Sequence, residues 1–207
     1  MKELEESIEK TLETSDLSNI NIDLAELTLD AILEDGIAKD LPIVGSIVGI
    51  SKFGIKVKEQ IFLKKVLKFL TKLNKTTPEE RSEFINRIEQ TEKYNKKVGL
   101  AIILILDKLE DLEKPEIIGK LLTANIKEEI DYETFLRISY MVQKVFLPDL
   151  KFLQDIKDGK EVYYHKQDEL YLSGLMITED TGGARFDGRN IYKISPYGEI
   201  LLNIIKS

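Results

Sequence analysis

The chain has 207 residues, of which 43% are hydrophobic and 32% charged, with no cysteine and one histidine, His165. That hydrophobic share supports a real core and excludes a disordered chain. The missing cysteine excludes disulfides, thiolate nucleophiles and cysteine-ligated zinc or iron–sulfur centres, and a lone histidine excludes any site that needs two imidazoles from one chain. The net charge of −7 is unevenly spread: residues 1–40 hold 12 acids and 3 lysines, whereas residues 41–75 hold 8 lysines and 1 acid. Such blocks attract one another within a chain or between chains.

Glu3–Glu13 has helical composition but only a thin apolar stripe of Leu4, Ile8 and Leu12, which predicts a short, frayed helix. Thr14–Asn21 reads as a polar link. Asp23 can cap a helix to about Asp35, with Gly36 as its stop. In Leu41–Gly54, Pro42 suits a helix start, and Gly45 and Gly49 share one face. Small residues there allow close backbone approach, as in membrane helix pairs. A tight soluble crossing or an irregular apolar loop is the competing reading.

Ile55–Leu73 predicts a basic amphipathic helix, with Phe62, Val66, Phe69, Leu70 and Leu73 on the apolar period and the lysines mostly off it. Thr77, Pro78 and Glu80 form a capping-box start for a helix through Phe84, Ile85 and Ile88. The next helix should run from about Tyr94 to Glu113. Its centre, Val98–Leu106, is apolar all round and belongs at the heart of the bundle. Pro115 opens a helix through Ile118, Leu121 and Leu122, and Asp131 can cap another through Phe135, Ile138 and Val142. Pro148 starts a short helix to about Ile156. Leu170–Ile177 reads as a helix end entering a strand, Gly182-Gly183 and Asp187-Gly188 as turns, Asn190–Ile194 as a strand and Ser195-Pro196 as the start of a last helix.

The longest apolar stretches, Leu41–Ile50 and Val98–Leu106, are about half of the roughly 20 residues that a spanning helix needs. No signal peptide or transmembrane span is expected. The expected location is cytoplasmic, with a peripheral position on the inner face of the membrane as an extension.

Chemical motifs are sparse. Gly119-Lys120 lacks the rest of a phosphate-binding loop, and Gly182-Gly183-Ala184-Arg185 reads as a hairpin tip. His165 has Asp168 and Glu169 within one helical turn but no third ligand. Acidic pairs such as Glu79-Glu80, Asp107 with Glu110 and Asp111, and Glu128-Glu129 match ordinary solvated helix faces. No catalytic residue, metal or cofactor is therefore expected.

Two stretches carry resemblances. The run Leu172-Ser-Gly-Leu-Met-Ile177, then a glycine-rich turn, then Ile191-Tyr-Lys-Ile-Ser-Pro-Tyr-Gly198 and a Leu/Ile-rich helix resembles the second half of a winged-helix domain. Ser195 and Gly198 stand at the positions of a Thr-x-x-Gly-like helix start. The stretch from Asp35-Gly36 through Phe69, with Pro42-Ile-Val-Gly45 at its centre, resembles uncharacterised bacterial proteins loosely allied to the abortive-infection alpha family of phage-defence proteins. That resemblance implies a defence or stress context and no catalytic motif.

The expected fold is mostly α: a helical bundle over residues 1–130, then a small winged-helix-like unit with a β-hairpin over 131–207. The first functional reading is a non-enzymatic interaction protein working on a protein partner, by self-association or at an anionic membrane surface. Lys58, Lys64, Lys65, Lys68 and Lys72 would form its surface, masked at rest by the acidic lead. The second reading is a winged-helix DNA-binding regulator using Lys166, Arg185 and Arg189. It ranks lower because the region is not basic and Asp168 and Glu169 lie on the reading helix. The third is an enzyme built on carboxylates.

Overall fold

The computed structural model describes residues 2–18, 20, 40–49, 57–91, 98–179 and 190–206. The chain divides into two compact units, Met1–Tyr132 and Glu133–Ser207. Ten α-helices and one two-stranded antiparallel hairpin occur among the described residues, so the fold is mostly helical, as expected. None of these helices is long and apolar enough to cross a membrane.

The first unit holds α1 (Lys2–Thr14), α2 (Pro42–Gly49), α3 (Val57–Thr71), α4 (Pro78–Glu89), α5 (Val98–Lys108) and α6 (Lys114–Ile126). The expected frayed α1 is instead part of the core. Ile8 and Leu12 are buried, and so are Leu17 and Ile20 in the segment that follows. Two polar clamps explain why a thin stripe suffices. The Glu9 carboxylate accepts the Gly99 N–H at 2.9 Å, which satisfies an orphan donor in the first turn of α5 and sets negative charge against its positive end.

The second clamp is Arg81 of α4, only 1% exposed. Its Nε donates to the Leu12 carbonyl at 2.6 Å and its Nη2 to the Ser15 carbonyl at 2.5 Å, so a cation closes the C-terminal end of α1. Its Nη1 donates to the Thr76 carbonyl at 2.7 Å and to the Thr76 hydroxyl at 3.2 Å. Burial pushes the Arg81 pKa down, opposed by the charges of Asp16, Glu79 and Glu80, and a guanidinium keeps its proton in any case. The helix that carries Arg81 starts as the sequence predicts. The Thr77 hydroxyl accepts the Glu80 N–H at 3.2 Å, and the Glu80 carboxylate accepts the Thr77 N–H at 2.8 Å.

Helix α5 packs against α1, α3 and α4. It is shorter than expected: it stops at Lys108, where Asp111 accepts the Glu113 N–H at 2.6 Å in a turn just ahead of Pro115. Nor is it buried all round, because Leu104 is 42% exposed.

Close backbone approach occurs at glycines other than the expected pair. A Cβ on Gly119 of α6 would lie 2.5 Å from the Phe69 carbonyl oxygen and 2.8 Å from the Lys72 Cβ. A Cβ on Gly99 would lie 2.8 Å from the Glu5 carbonyl oxygen. Gly45 and Gly49 have nothing within 4 Å and are exposed among the described residues. The opposite side of α2 faces inward through Ile43, Val44 and Ile47. The Thr11 hydroxyl holds its start by accepting the Ile43 N–H at 3.0 Å. The expected Asp23–Asp35 helix with Gly36, and residues 50–56, lie outside the described residues.

The second unit takes in α7 (Tyr132–Lys144) from its second residue onward. A 3-10 turn (Leu147–Asp149), α8 (Leu150–Lys157), α9 (Tyr164–Leu172), β1 (Met176–Thr178), β2 (Tyr192–Ile194) and α10 (Pro196–Lys206) follow. The helix expected from Pro148 thus begins as a 3-10 turn. Gly174, at φ +89°, ends α9: the Leu175 N–H reaches the Leu170 carbonyl at 3.0 Å and the Gly174 N–H the Tyr171 carbonyl at 2.9 Å. The strands pair Met176 with Ile194 and Thr178 with Tyr192. Ser195 then links the two helices that flank the hairpin. Its hydroxyl accepts the Gly198 N–H at 3.0 Å, capping α10, and donates to the Gly174 carbonyl at 2.9 Å. Gly198 has no room for a side chain, since the Leu175 carbonyl and the Ile194 side chain occupy that space.

Candidate functional site

The lysines of α3 do not form one free basic face. Lys58 is exposed and Lys64 half-buried, but Lys65 is buried and its ammonium donates to the Asp107 carbonyl at 3.3 Å. Burial pushes the Lys65 pKa down, opposed by Asp107 and Glu110. Lys68 and Lys72 both reach Glu116 of α6, at 3.2 and 2.7 Å. Burial alone would raise the Glu116 carboxyl, but hydrogen bonds from Lys72 and Lys68 outweigh it and hold the group below the usual carboxylate range.

The apolar side of α3 is committed as well. Leu63, Val66, Leu67, Phe69 and Leu70 are buried in the unit. A helix that lies in a membrane interface needs that side free. The acidic α1 packs on α2, α4 and α5, and its Glu9 serves the end of α5, so this part of the acidic lead is core rather than a detachable mask. A cavity of 220 Å³ is lined by Leu4, Ile47, Lys58, Glu59, Phe62 and Asp107. That is smaller than the roughly 300 Å³ at which ordinary ligand sites begin.

In the second unit, α9 sorts its side chains onto distinct sides. Leu170 is buried. Tyr164, Asp168 and Tyr171 turn toward the hairpin. The Tyr192 hydroxyl donates to Asp168 at 2.6 Å, and the Tyr192 ring lies 5.7 and 5.1 Å from those of Tyr164 and Tyr171. His165, Glu169 and Leu172, at the i, i+4, i+7 spacing of a helix, share the outward side. Leu172 is 73% exposed, and so is Tyr163 at 76%, its ring stacked on His165 at 5.8 Å.

Lys166 is not on that outward side. Its ammonium pairs with the buried Asp149 at 3.0 Å and lies over the Phe152 ring. Lys166 therefore fastens α9 to the 3-10 turn and is not presented to a nucleic acid. Arg185 and Arg189, and the Gly182-Gly183 and Asp187-Gly188 turns, lie outside the described residues. Sequence reading singled out the charges of α9 and gave no contact role to Tyr163 or Leu172, although Leu172, two residues past the buried Leu170, falls on the other side of the helix by its period. Among the acidic pairs, Glu80 closes the capping box of α4 and Glu128 pairs with Arg87. Among the described residues, no three His, Asp or Glu side chains gather where they could hold a metal.

The link between α9 and the hairpin titrates. Hydrogen bonding to Asp168 pushes the Tyr192 pKa up to about 12 from an ordinary value of 10.0. A hydroxyl whose folded pKa is raised adds stability that is complete below the ordinary value and disappears as pH climbs through the folded one. Tyrosinate absorbance should therefore show a late step from Tyr192, with the hairpin loosening between pH 10.0 and about 12. Tyr192→Phe should delete that late step; its persistence would refute the assignment.

Comparison with known proteins returned no matching family model, no matching curated protein and no matching solved structure.

Proposed function

We propose that this chain is an interaction protein that docks a helix of a partner protein on the outward side of α9. The observation that carries this reading is the exposure of Leu172 on the outward side of α9, with the exposed Tyr163, the residue before the helix, stacked on His165 of that side. Large apolar side chains in water mark contact sites when they cluster. Glu169 lies between them and Glu161 is exposed just upstream, so the fitting partner is a helix with an apolar stripe rimmed by lysine or arginine.

The order α9, hairpin, α10, with Ser195 capping and Gly198 packed tight, supports a winged-helix-like reading of the second unit. It is here a wing-like module used for protein contacts. DNA recognition ranks below, because Lys166 is tied to Asp149 and the outward side offers Glu169 toward any phosphate. A bacterial phage-defence setting is the context that the resemblance of the first half suggests. An anionic membrane as the target would need α3 to unpack its apolar side.

The test places a photo-crosslinking residue at position 163 or 172 of the full chain in extracts of the source cells. The expected product is one partner protein joined through a basic amphipathic segment. A synthetic peptide of that segment should bind the purified chain, and Leu172→Glu should weaken it by about tenfold or more. Leu172→Glu sits on an exposed position, so circular dichroism should be unchanged. Crosslinks only to a second copy of the chain, or to DNA, or a peptide indifferent to Leu172→Glu, would overturn the proposal.

A further inference from the structure

The cavity beside α3 opens where four helices of the first unit meet. Leu4 of α1, Ile47 of α2 and Phe62 of α3 give it apolar walls, and Lys58, Glu59 and Asp107 add charge. Lys58 and Phe62 stand four residues apart, so they share one side of α3. A hydrogen bond between the Ser7 and Ser46 hydroxyls ties the α1 wall to the α2 wall, next to Ile47. Lys65 brings α5 alongside α3, since its ammonium donates to the Asp107 carbonyl at 3.3 Å. Ile47 is buried and Leu4 and Phe62 are half-buried, whereas Lys58 and Asp107 are exposed. The cavity is therefore apolar inside and charged at its mouth, with an ammonium on α3 and a carboxylate on α5. A volume of 220 Å³ holds about seven waters, or a molecule of similarly few heavy atoms.

We propose that this cavity binds a free apolar α-amino acid of the size of leucine. Its ammonium would lie on Asp107, its carboxylate on Lys58 and its side chain against Leu4, Ile47 and Phe62. The lining selects this class. A fatty acid would bring its carboxylate to those of Asp107 and Glu59, and an alkylamine would set its ammonium beside that of Lys58. A zwitterion answers both signs at once. Apolar contact supplies most of the attraction, because charges at an open mouth are screened by water. No residue of α9 takes part, so the site stands apart from the partner surface.

Titration of the isotope-labelled full chain with leucine, followed in amide proton–nitrogen spectra, tests the site. The expected result is saturable shifts at Leu4, Ile47, Lys58, Phe62 and Asp107, with a Kd of about 1 mM. Alanine, three carbons shorter, should bind more than about tenfold more weakly. Isopentylamine lacks the carboxylate and isocaproate lacks the ammonium, so each should bind about threefold more weakly than leucine, or worse. Lys58→Gln should weaken leucine and not isopentylamine, and Asp107→Asn should weaken leucine and not isocaproate. Both substitutions fall on exposed positions, so circular dichroism should be unchanged. Lys10→Gln, exposed on α1 and outside the lining, should leave the affinity as it is. Absence of saturable shifts at the lining would overturn the proposal. So would isopentylamine or isocaproate binding as tightly as leucine, or a leucine affinity indifferent to both Lys58→Gln and Asp107→Asn.

Discussion

Arg81→Met is expected to destabilise the first unit by about 3–5 kcal/mol in urea unfolding. The guanidinium satisfies three backbone carbonyls, Leu12, Ser15 and Thr76, and each buried acceptor left alone costs roughly 1–3 kcal/mol. Methionine fills much of the volume and carries no uncompensated charge, so the loss reports the polar clamp rather than a cavity. Arg81→Lys should recover little, because one ammonium cannot span the Leu12 and Ser15 carbonyls and also Thr76. The same clamp explains why deleting the first 20 residues should unfold the unit: it would strip Ile8, Leu12, Leu17 and Ile20 from the core and leave Arg81 buried without two of its acceptors. A loss below about 1 kcal/mol on Arg81→Met would show that water replaces the side chain and that the clamp is unimportant.

Two alanine substitutions at glycine should move stability in opposite directions. Gly119→Ala places a methyl 2.5 Å from the Phe69 carbonyl, a backbone atom that cannot swing aside, so α3 and α6 must separate. Overpacking of this kind costs about 1–3 kcal/mol, and more where backbone must shift. Gly45→Ala meets nothing within 4 Å on α2, so it should stabilise by about 0.5–1 kcal/mol through helix propensity and a less flexible unfolded chain. Thermal midpoints of the two variants and the parent decide the matter. A neutral Gly119→Ala would mean that the α3–α6 crossing is loose.

Features whose partners lie within a turn or two of the chain were legible before any coordinates. Thr77, Pro78 and Glu80 close their capping box over three residues, and Val66, Phe69 and Leu70 of the apolar period of α3 are buried, although Phe62 is only half-buried. The helix end at Gly174 and the start at Ser195 bracket the hairpin for the same reason. Composition and periodicity therefore determined the mostly helical class and the place of the strands. Burial of a charge, by contrast, depends on atoms far along the chain. Leu12 stands 69 residues before Arg81, and Glu9 stands 90 residues before Gly99. Local pattern could not show that Lys65 is buried or that Lys166 is tied to Asp149, because the partners of a lysine are chosen by packing. The glycines follow the same rule. Gly45 and Gly49 looked like contact points from spacing alone, yet close approach falls at Gly99 and Gly119, where a second backbone lies across the helix. Tertiary structure decided which charges and which glycines face another segment, since only the crossing of helices brings distant backbone within reach.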